Sequence, residues 1–288
     1  MPTHQAQDRL LLWSLRAAAF LTASIVVLIV VFLLLESGPG LREIGLGRFF
    51  SDDGWFPGDG DGSGRFELLP MLLASAATTF GALLLAAPLG ILSAVFVVHY
   101  APPRLGRVYR RLVEVLAGMP SVVYGFWGLV TLVPIVRRID GPGPSLVAGI
   151  LILAMMILPT VALLSQSALS ATPRAHLEGA AALGLSRWTT LSRVVFPSAR
   201  AGLGAAVLLG AMRAVGETMA LLMVCGNVPN LPSDLFRPVR TLTGNIALEL
   251  GYATAAHRSV LFVSGLMLMA MVLVLLGIQG ALLRRRHG

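Results

Sequence analysis

Six stretches of this chain are apolar over a length that would cross a lipid bilayer. A membrane-spanning helix needs about 20 mostly apolar residues. Runs of this kind cover residues 17–35, 68–98, 112–136, 145–165, 201–226 and 259–283. Only 12% of the residues are charged, against roughly 25% in soluble domains. The pattern predicts an all-α, polytopic membrane protein with six transmembrane helices. The first run lacks a small-residue cleavage site before Glu36, so we expect it to be retained.

Arginine placement orients these helices. If the chain alternates sides, 13 arginines lie on the side of the two termini and 8 lie on the other side. The positive-inside rule then puts both termini in the cytoplasm. The net charge of +8 is explained in the same way, and we expect no nucleic-acid partner. The side of the protein that is richer in arginine is thus predicted to face the cytoplasm.

The basic residues exclude several kinds of chemistry. All 22 are arginine, whereas a P-loop requires a lysine that contacts the phosphates. Schiff-base chemistry through a lysine is excluded as well. The single cysteine, Cys225, can form neither an intrachain disulfide nor a zinc site. We therefore expect no catalytic residue, no metal and no cofactor in this chain, and any ATP hydrolysis must belong to a partner.

The two long outer segments differ in pattern. Residues 36–67 contain GWFPGDGDGSG, a glycine- and aspartate-rich stretch that predicts a flexible, solvated loop. A docking surface for an extracytoplasmic partner is the alternative. Residues 227–257 carry a helical pattern near 243–250 between proline-rich flanks. We expect a short helix there.

A charged pair interrupts the fifth apolar run, in the stretch RAVGETM. An ionisable residue at mid-membrane costs at least ~2.5–3.5 kcal/mol, so Arg213 and Glu217 should face the protein interior and have partners. Their spacing predicts one helical face. The hypothesis is that they neutralise each other at rest, that Arg213 exchanges Glu217 for a passing anion, and that Glu217 repels that anion. The alternative is a polar clamp between helices. Thr218 could add a hydroxyl or bond its own helix backbone.

The third run contains a second candidate site. Pro120 removes a backbone donor and predicts a broken helix, with Ser121 as a local cap and Tyr124 as a nearby polar group. Backbone N–H groups at such a break can bind anions at membrane depth. A simple proline kink is the alternative, and Pro88 and Pro159 are interpreted as kinks only.

The cytoplasmic segment 172–200 is too regular for a loop. Thr172 is a plausible N-cap with Pro173 in the first turn. Apolar residues at helical spacing predict two short helices that meet near Gly184, with Ser186 capping the second helix. Such a helix pair at a membrane face needs a separate protein to pack against.

The spacing in this segment resembles the EAA signature of permease subunits of bacterial ABC importers. The positions that carry the match are Glu178, Ala180, Gly184, Val194, Phe196 and Pro197. Gly179, Val194 and Phe196 replace the usual alanine, isoleucine and leucine. The resemblance implies the type I ABC importer permease fold, with coupling helices over residues 175–187 that dock on a separate ATPase. It implies coupling roles for Glu178, Gly179, Ala180, Gly184 and Pro197, and that ATP and Mg are bound by the ATPase.

Further stretches resemble the phosphate-specific (Pst) permeases. These are AGMPSVVYGFWGL at 117–129, RAVGETM at 213–219 and HYAPP at 99–103, although His99 stands where an acid is common. Met219, the Gly226–Asn227 pair and the long first outer segment are more similar to the C-type than to the A-type subunit. The resemblance implies half of a phosphate pathway in a bacterial inner membrane. It also implies an A-type permease as partner, two ATPase copies and an extracytoplasmic phosphate-binding protein.

The resemblance predicts a domain organisation, and other protein classes remain as alternatives for the function. We expect a first part at 1–67, a permease domain at 68–283 and a basic cytoplasmic tail at 284–288. The alternatives are a sulfate or molybdate permease, or the A-type paralogue. An intramembrane protease is disfavoured because no histidine lies at membrane depth with a serine beside it. A channel or a secondary transporter would not need the EAA segment.

Overall fold

The structure, a computed structural model, describes residues 2–58 and 64–284 as a mostly helical chain. The helices are α1 (Pro2–Glu43), α2 (Arg48–Ser51), α3 (Leu69–Val95), α4 (Pro103–Gly118), α5 (Ser121–Trp127), α6 (Val133–Ile139), α7 (Leu146–Ser170), α8 (Arg174–Ala182), α9 (Arg187–Thr190), α10 (Phe196–Val215), α11 (Met219–Val224), α12 (Leu242–Glu249) and α13 (Ala255–Arg284). Strands β1 (Trp55–Phe56) and β2 (Arg65–Phe66) form an antiparallel pair. Short π-helical turns at Phe96–Tyr100, Gly128–Leu132 and Leu191–Val195 continue their neighbouring helices.

Six helical stretches in the described part of the chain are long and apolar enough to cross a membrane. They are Asp8–Glu43, Leu69–Tyr100, Ser121–Ile139, Leu146–Ser170, Arg187–Val215 and Ala255–Ala281. The predicted all-α, six-span architecture is therefore confirmed. Because α9, the third π-helical turn and α10 are continuous, the fifth span begins well before the predicted residue 201.

Two further predicted boundaries are wrong. The third span starts at Ser121 and not at 112, because Met119 and Pro120 are extended and end α4 at Gly118. Proline lacks the N–H that would continue the helix. The fifth span ends at Val215 and not at 226, since Gly216 caps α10 and a new helix, α11, begins two residues after Glu217.

Helix α7 lies at the centre of the membrane core, packed against α3 and α10. The helices approach closely around Val161 of α7. A Cβ atom added at Gly90 of α3 would lie 2.9 Å from Val161 Cγ1, and one at Gly210 of α10 would lie 2.8 Å from Val161 Cγ2. Small residues at helix contacts are how membrane helices gain van der Waals packing without a hydrophobic driving force.

The outer segment at 36–67 is packed, so the flexible-loop prediction is wrong for its described residues. Helix α1 continues to Glu43, and the aromatic side chains of Phe49, Trp55 and Phe66 are buried against α12 and α13. Burial of three aromatic rings outweighs the turn-forming glycines. Residues 59–63, which hold part of the glycine- and aspartate-rich stretch, lie outside the described residues, as do 285–288 of the basic tail.

The short helices expected at both membrane faces are present. The outer helix is α12, close to the predicted 243–250. On the side predicted to be cytoplasmic, α8 and α9 meet at Gly184, whose φ of +65° is a left-handed conformation that glycine adopts at little cost. Ser186 Oγ accepts a hydrogen bond from Thr189 N at 3.2 Å, as expected of a cap. Thr172 is not the cap of α8: Pro173 is at that position and the Thr172 hydroxyl has no partner among the described residues.

Replacing Gly90 with alanine should destabilise the fold by about 1–3 kcal/mol, as overpacking of a tight core does. The new methyl would meet Val161, which is stiff at χ1, and the backbone nitrogen of Ala162 at 3.2 Å. The loss is measured as a lower midpoint of thermal unfolding in detergent. Gly277→Ala is the matched control, because a Cβ there meets no atom within 4 Å. Equal midpoints for the two variants would contradict the close approach.

Candidate functional sites in the membrane and at its cytoplasmic face

Arg213 lies in the last turn of α10 and points to an exposed face of the chain. Its Nη1 donates a hydrogen bond to Thr160 Oγ1 of α7 at 3.1 Å. A guanidinium has five N–H donors in a planar fork, so a single hydroxyl partner leaves most of that capacity for another acceptor. The geometry suits a planar, bidentate contact with an oxyanion.

Glu217 does not pair with Arg213, and the predicted ion pair between them is wrong. Its Oε1 accepts a hydrogen bond from Ala220 N at 3.0 Å, at the start of α11. No salt bridge joins the two residues in the part of the chain that the structure describes. The helical spacing of four residues fails because α10 ends at Val215. Glu217 therefore caps the next helix and does not continue the face of the previous one.

Thr218 adds little to this helix break. Its Oγ1 lies 3.4 Å from the Gly216 carbonyl oxygen, a local backbone contact of the kind that the alternative interpretation described. The side chain is partly buried. A direct role for Thr218 in a substrate pathway stays a prediction.

The break at Pro120 is confirmed, and α5, which follows it, packs against α11, which follows the break at 216–218. Tyr124 is buried and its hydroxyl donates to the Leu116 carbonyl oxygen at 2.8 Å, which satisfies a carbonyl at the end of α4. Ser121 is partly buried and makes no capping bond to α5, so its predicted capping role is wrong. A Cβ on Gly125 of α5 would lie 2.9 Å from Ala220 Cα of α11.

Arg213 precedes the break before α11, and Tyr124 lies in α5, which packs against α11. The two residues are far apart in sequence and come from α10 and α5. The result is a polar region at two broken helices, made of one guanidinium that is exposed in the single chain, one buried tyrosine and one carboxylate that caps a helix. We refer to Arg213, Glu217 and Tyr124 as the intramembrane polar site.

The structure contains an outer hydrogen-bond network around Glu249 that the sequence pattern did not predict. Glu249 accepts hydrogen bonds from Trp55 Nε1 at 2.8 Å and from Arg240 Nη1, and it shares a hydrogen bond of 2.8 Å with His257 Nε2. Burial alone would raise the pKa of Glu249, but the bonds from His257 and Trp55 and the charge of Arg240 outweigh burial and lower it. These partners lie up to 194 positions apart, and no local pattern links them.

The segment 172–200, predicted to lie at the cytoplasmic face, presents an apolar surface. Leu183 is 78% exposed and Trp188 is 70% exposed. Of the residues that carry the signature, Ala180 is buried, while Glu178, Gly179, Gly184 and Pro197 are exposed. Large exposed apolar side chains outside a bilayer mark a protein contact surface. We call residues 174–188 the coupling surface.

The chain belongs to the family described as binding-protein-dependent transport system inner membrane component, which matches residues 86–288. It is 40% identical to the probable ABC transporter permease protein YqgH of Bacillus subtilis, over 78% of this chain and 73% of that protein. It is 31% identical to the phosphate transport system permease protein PstC of Mesorhizobium japonicum, over 94% of this chain and 88% of that protein. It is also 34% identical to PstC 2 of Mycobacterium tuberculosis, over 75% and 72%.

Solved ABC transporters share the fold. A chain of the inward-facing MetNI methionine ABC transporter matches with a TM-score of 0.58 and 21% identity, over 76% of this chain and 93% of that chain. A chain of a bacterial ABC transporter for import of the acidic polysaccharide alginate matches with a TM-score of 0.59 and 14% identity, over 76% and 80%. The fold is that of a type I ABC importer permease, and the protein is a multi-pass inner membrane transport component.

The lowered pKa of Glu249 predicts a pH dependence of stability. A carboxyl whose pKa is lower in the folded state contributes stability above its unfolded pKa and loses it as the pH falls through the folded pKa. The difference in unfolding midpoint between the wild type and Glu249→Gln should therefore shrink as the pH falls from about 7 to about 3. Thermal unfolding of both proteins across this range measures it. A difference that stays constant would contradict the ionised network.

Proposed function

We propose that this chain forms half of the transmembrane pathway for inorganic phosphate in an ATP-driven importer. The observation that carries the proposal is the Arg213 guanidinium, held at a helix break within a permease fold with most of its donors unused by Thr160. Two further facts support it: the relatives named PstC, and the sequence stretches similar to phosphate-specific permeases. Phosphate offers the oxygens that an arginine fork binds in a bidentate manner.

The proposed partners follow from the same family. A paralogous A-type permease supplies the other half of the pathway, and this chain is the C-type subunit. Two copies of an ATPase bind ATP and Mg²⁺ and dock at the coupling surface, while an extracytoplasmic phosphate-binding protein delivers the substrate. Both termini are cytoplasmic in this arrangement, and the chain itself performs no covalent chemistry.

The pathway residues act without an internal ion pair. Arg213 exchanges its bond to Thr160 for phosphate oxygens as the anion passes. The Glu217 carboxylate occupies the start of α11 and so keeps a second anion-binding position closed. A negative charge on this segment also opposes long residence of phosphate. Transport needs binding that is weak enough for release, and this combination provides it.

Arg213→Ala should reduce phosphate uptake about tenfold or more, because charge-assisted hydrogen bonds to the anion are lost. Arg213→Lys should retain part of the activity, since lysine offers a point charge but no planar fork. Uptake of radiolabelled phosphate into vesicles with the assembled complex is the measurement. Arg138→Ala, an exposed position at the end of α6, is the control. Full activity in both Arg213→Ala and Glu217→Gln would contradict the pathway role.

The same complex distinguishes the substrates. Stimulation of ATPase activity by phosphate, sulfate or molybdate, each with its own binding protein, identifies the anion. Stimulation by sulfate or molybdate alone would replace phosphate in the proposal.

Leu183→Asp should abolish co-purification of the ATPase while leaving the permease folded, because it places a charge in the apolar coupling surface. Leu231→Asp is the control: Leu231 is 51% exposed on the outer side, and its variant should retain the ATPase. Pull-down of the complex from detergent-solubilised membranes measures both. Retention of the ATPase by Leu183→Asp would contradict docking at this surface.

A further inference from the structure

An outer segment of the chain ties the intramembrane polar site to the Glu249 network. We call residues 225–249 the outer strap. Val239 N donates to the Cys225 carbonyl at 2.9 Å, and Asn227 N donates to the Val239 carbonyl at 3.1 Å. Leu146 N, at the start of α7, donates to the Arg237 carbonyl at 3.0 Å. The strap is therefore bound to the ends of α11 and α7.

The strap reaches the polar site through Thr243. Thr243 Oγ1 donates to the Glu217 carbonyl oxygen at 2.8 Å, and this threonine is 9% exposed. Glu217 lies between the last residue of α10 and the N-cap of α11, Thr218. Its carbonyl therefore belongs to neither helix, and the threonine hydroxyl supplies a donor for it within the protein. An adjacent contact, from Leu242 N to Ser75 Oγ at 2.9 Å, fixes the start of α12 on α3.

The other end of α12 is fixed by Glu249. Arg240 is the link, since it contacts Glu249 and also donates from Nε to the Asn227 carbonyl at 2.8 Å and from Nη1 to Asn245 Oδ1 at 3.0 Å. Trp55 and His257 hold the Glu249 carboxylate from the hairpin and from α13. The Arg240 guanidinium donates hydrogen bonds within the strap, and the Glu249 carboxylate balances its charge. This network therefore holds the strap in place.

We propose that Glu249 is a positioning residue for transport, which acts through Arg240 and α12 to keep Thr243 on the Glu217 carbonyl. That contact fixes the backbone at Glu217, between α10 and α11, and with it the direction of the Glu217 carboxylate relative to the Arg213 guanidinium. The inference rests on the proposed function, because it requires that these two side chains meet the passing anion.

Thr243→Val removes the hydroxyl donor and keeps the side-chain shape. The expected result is a rise of about three- to tenfold in the KM for phosphate, as loss of one hydrogen bond implies, with the maximal rate per assembled complex within about twofold. Thr243→Ser keeps the donor and should restore the wild-type KM. Initial rates of phosphate uptake by proteoliposomes that contain the whole complex, over a range of phosphate concentrations, measure both constants.

Glu249→Gln should raise the KM by a similar factor, and the double variant with Thr243→Val should raise it no further. Non-additivity is expected because both changes act through one contact. Asp52→Asn is the matched control. Asp52 is also a mostly buried outer carboxylate, held by Arg48 and by Phe66 N, but it does not contact the strap, so its variant should keep the wild-type KM.

Two results would overturn the positioning role. One is an unchanged KM in Thr243→Val with only the yield or the maximal rate reduced, which is the signature of a purely structural contact. The other is a set of KM effects that multiply in the double variant. If Arg213→Ala abolishes uptake in the same assay, these results overturn the positioning role alone. Full uptake by Arg213→Ala would instead overturn the proposed site itself.

Discussion

Backbone groups inside a bilayer find no water, so every break in a membrane helix has to be satisfied by other groups of the protein. The chain breaks its helices at residues 118–120 and 216–218. Tyr124 donates to a carbonyl at the end of α4, Glu217 accepts from the start of α11, and Thr243 donates to the Glu217 carbonyl. The polar residues of the membrane core are thus first of all the partners of broken helices, and this requirement brings them together.

The same constraint applies to Arg213, whose guanidinium uses only one of its hydrogen-bond donors on Thr160. A charge at this depth is stable only when it faces the bundle interior or a water-filled cavity. Arg213 is exposed in the single chain and its neutral partner, Thr160, cannot balance its charge. In the proposed heterodimer that face lines the space between two permeases. An anion that enters this space meets a cation that no carboxylate of the described residues neutralises, while Glu217 is held at α11.

The sequence predicted what depends on local pattern. Length and apolarity located the six spans, Pro120 located one break, and Gly184 with Ser186 located the turn between α8 and α9. The end of α10 was missed, because an isolated glycine in an apolar run costs only about 1 kcal/mol in a helix and Gly216 carried no stronger signal. The pairing of Trp55 with Glu249, and hence the packed outer segment, depends on tertiary contacts between residues 194 positions apart. Spacing rules describe one helix at a time and could not reveal them.

The fifth span is continuous and so relates the coupling surface to the membrane site. Arg187–Val215 is one helical stretch of 29 residues, which at 1.5 Å per residue corresponds to roughly 40 Å. It begins beside Trp188 of the coupling surface and ends just after Arg213. A helix of this kind moves largely as a rigid body, so a displacement imposed at the coupling surface moves Arg213 relative to Thr160 on α7.

Glu217 follows the end of this helix and is fixed to the outer strap through Thr243. The junction at Gly216 is therefore where a moving helix meets an anchored one, and relative motion there changes the spacing between the cation and the carboxylate. In the proposed importer, relative motion at this junction converts the conformational change of the ATPase into a change in the affinity of the Arg213 site for the anion.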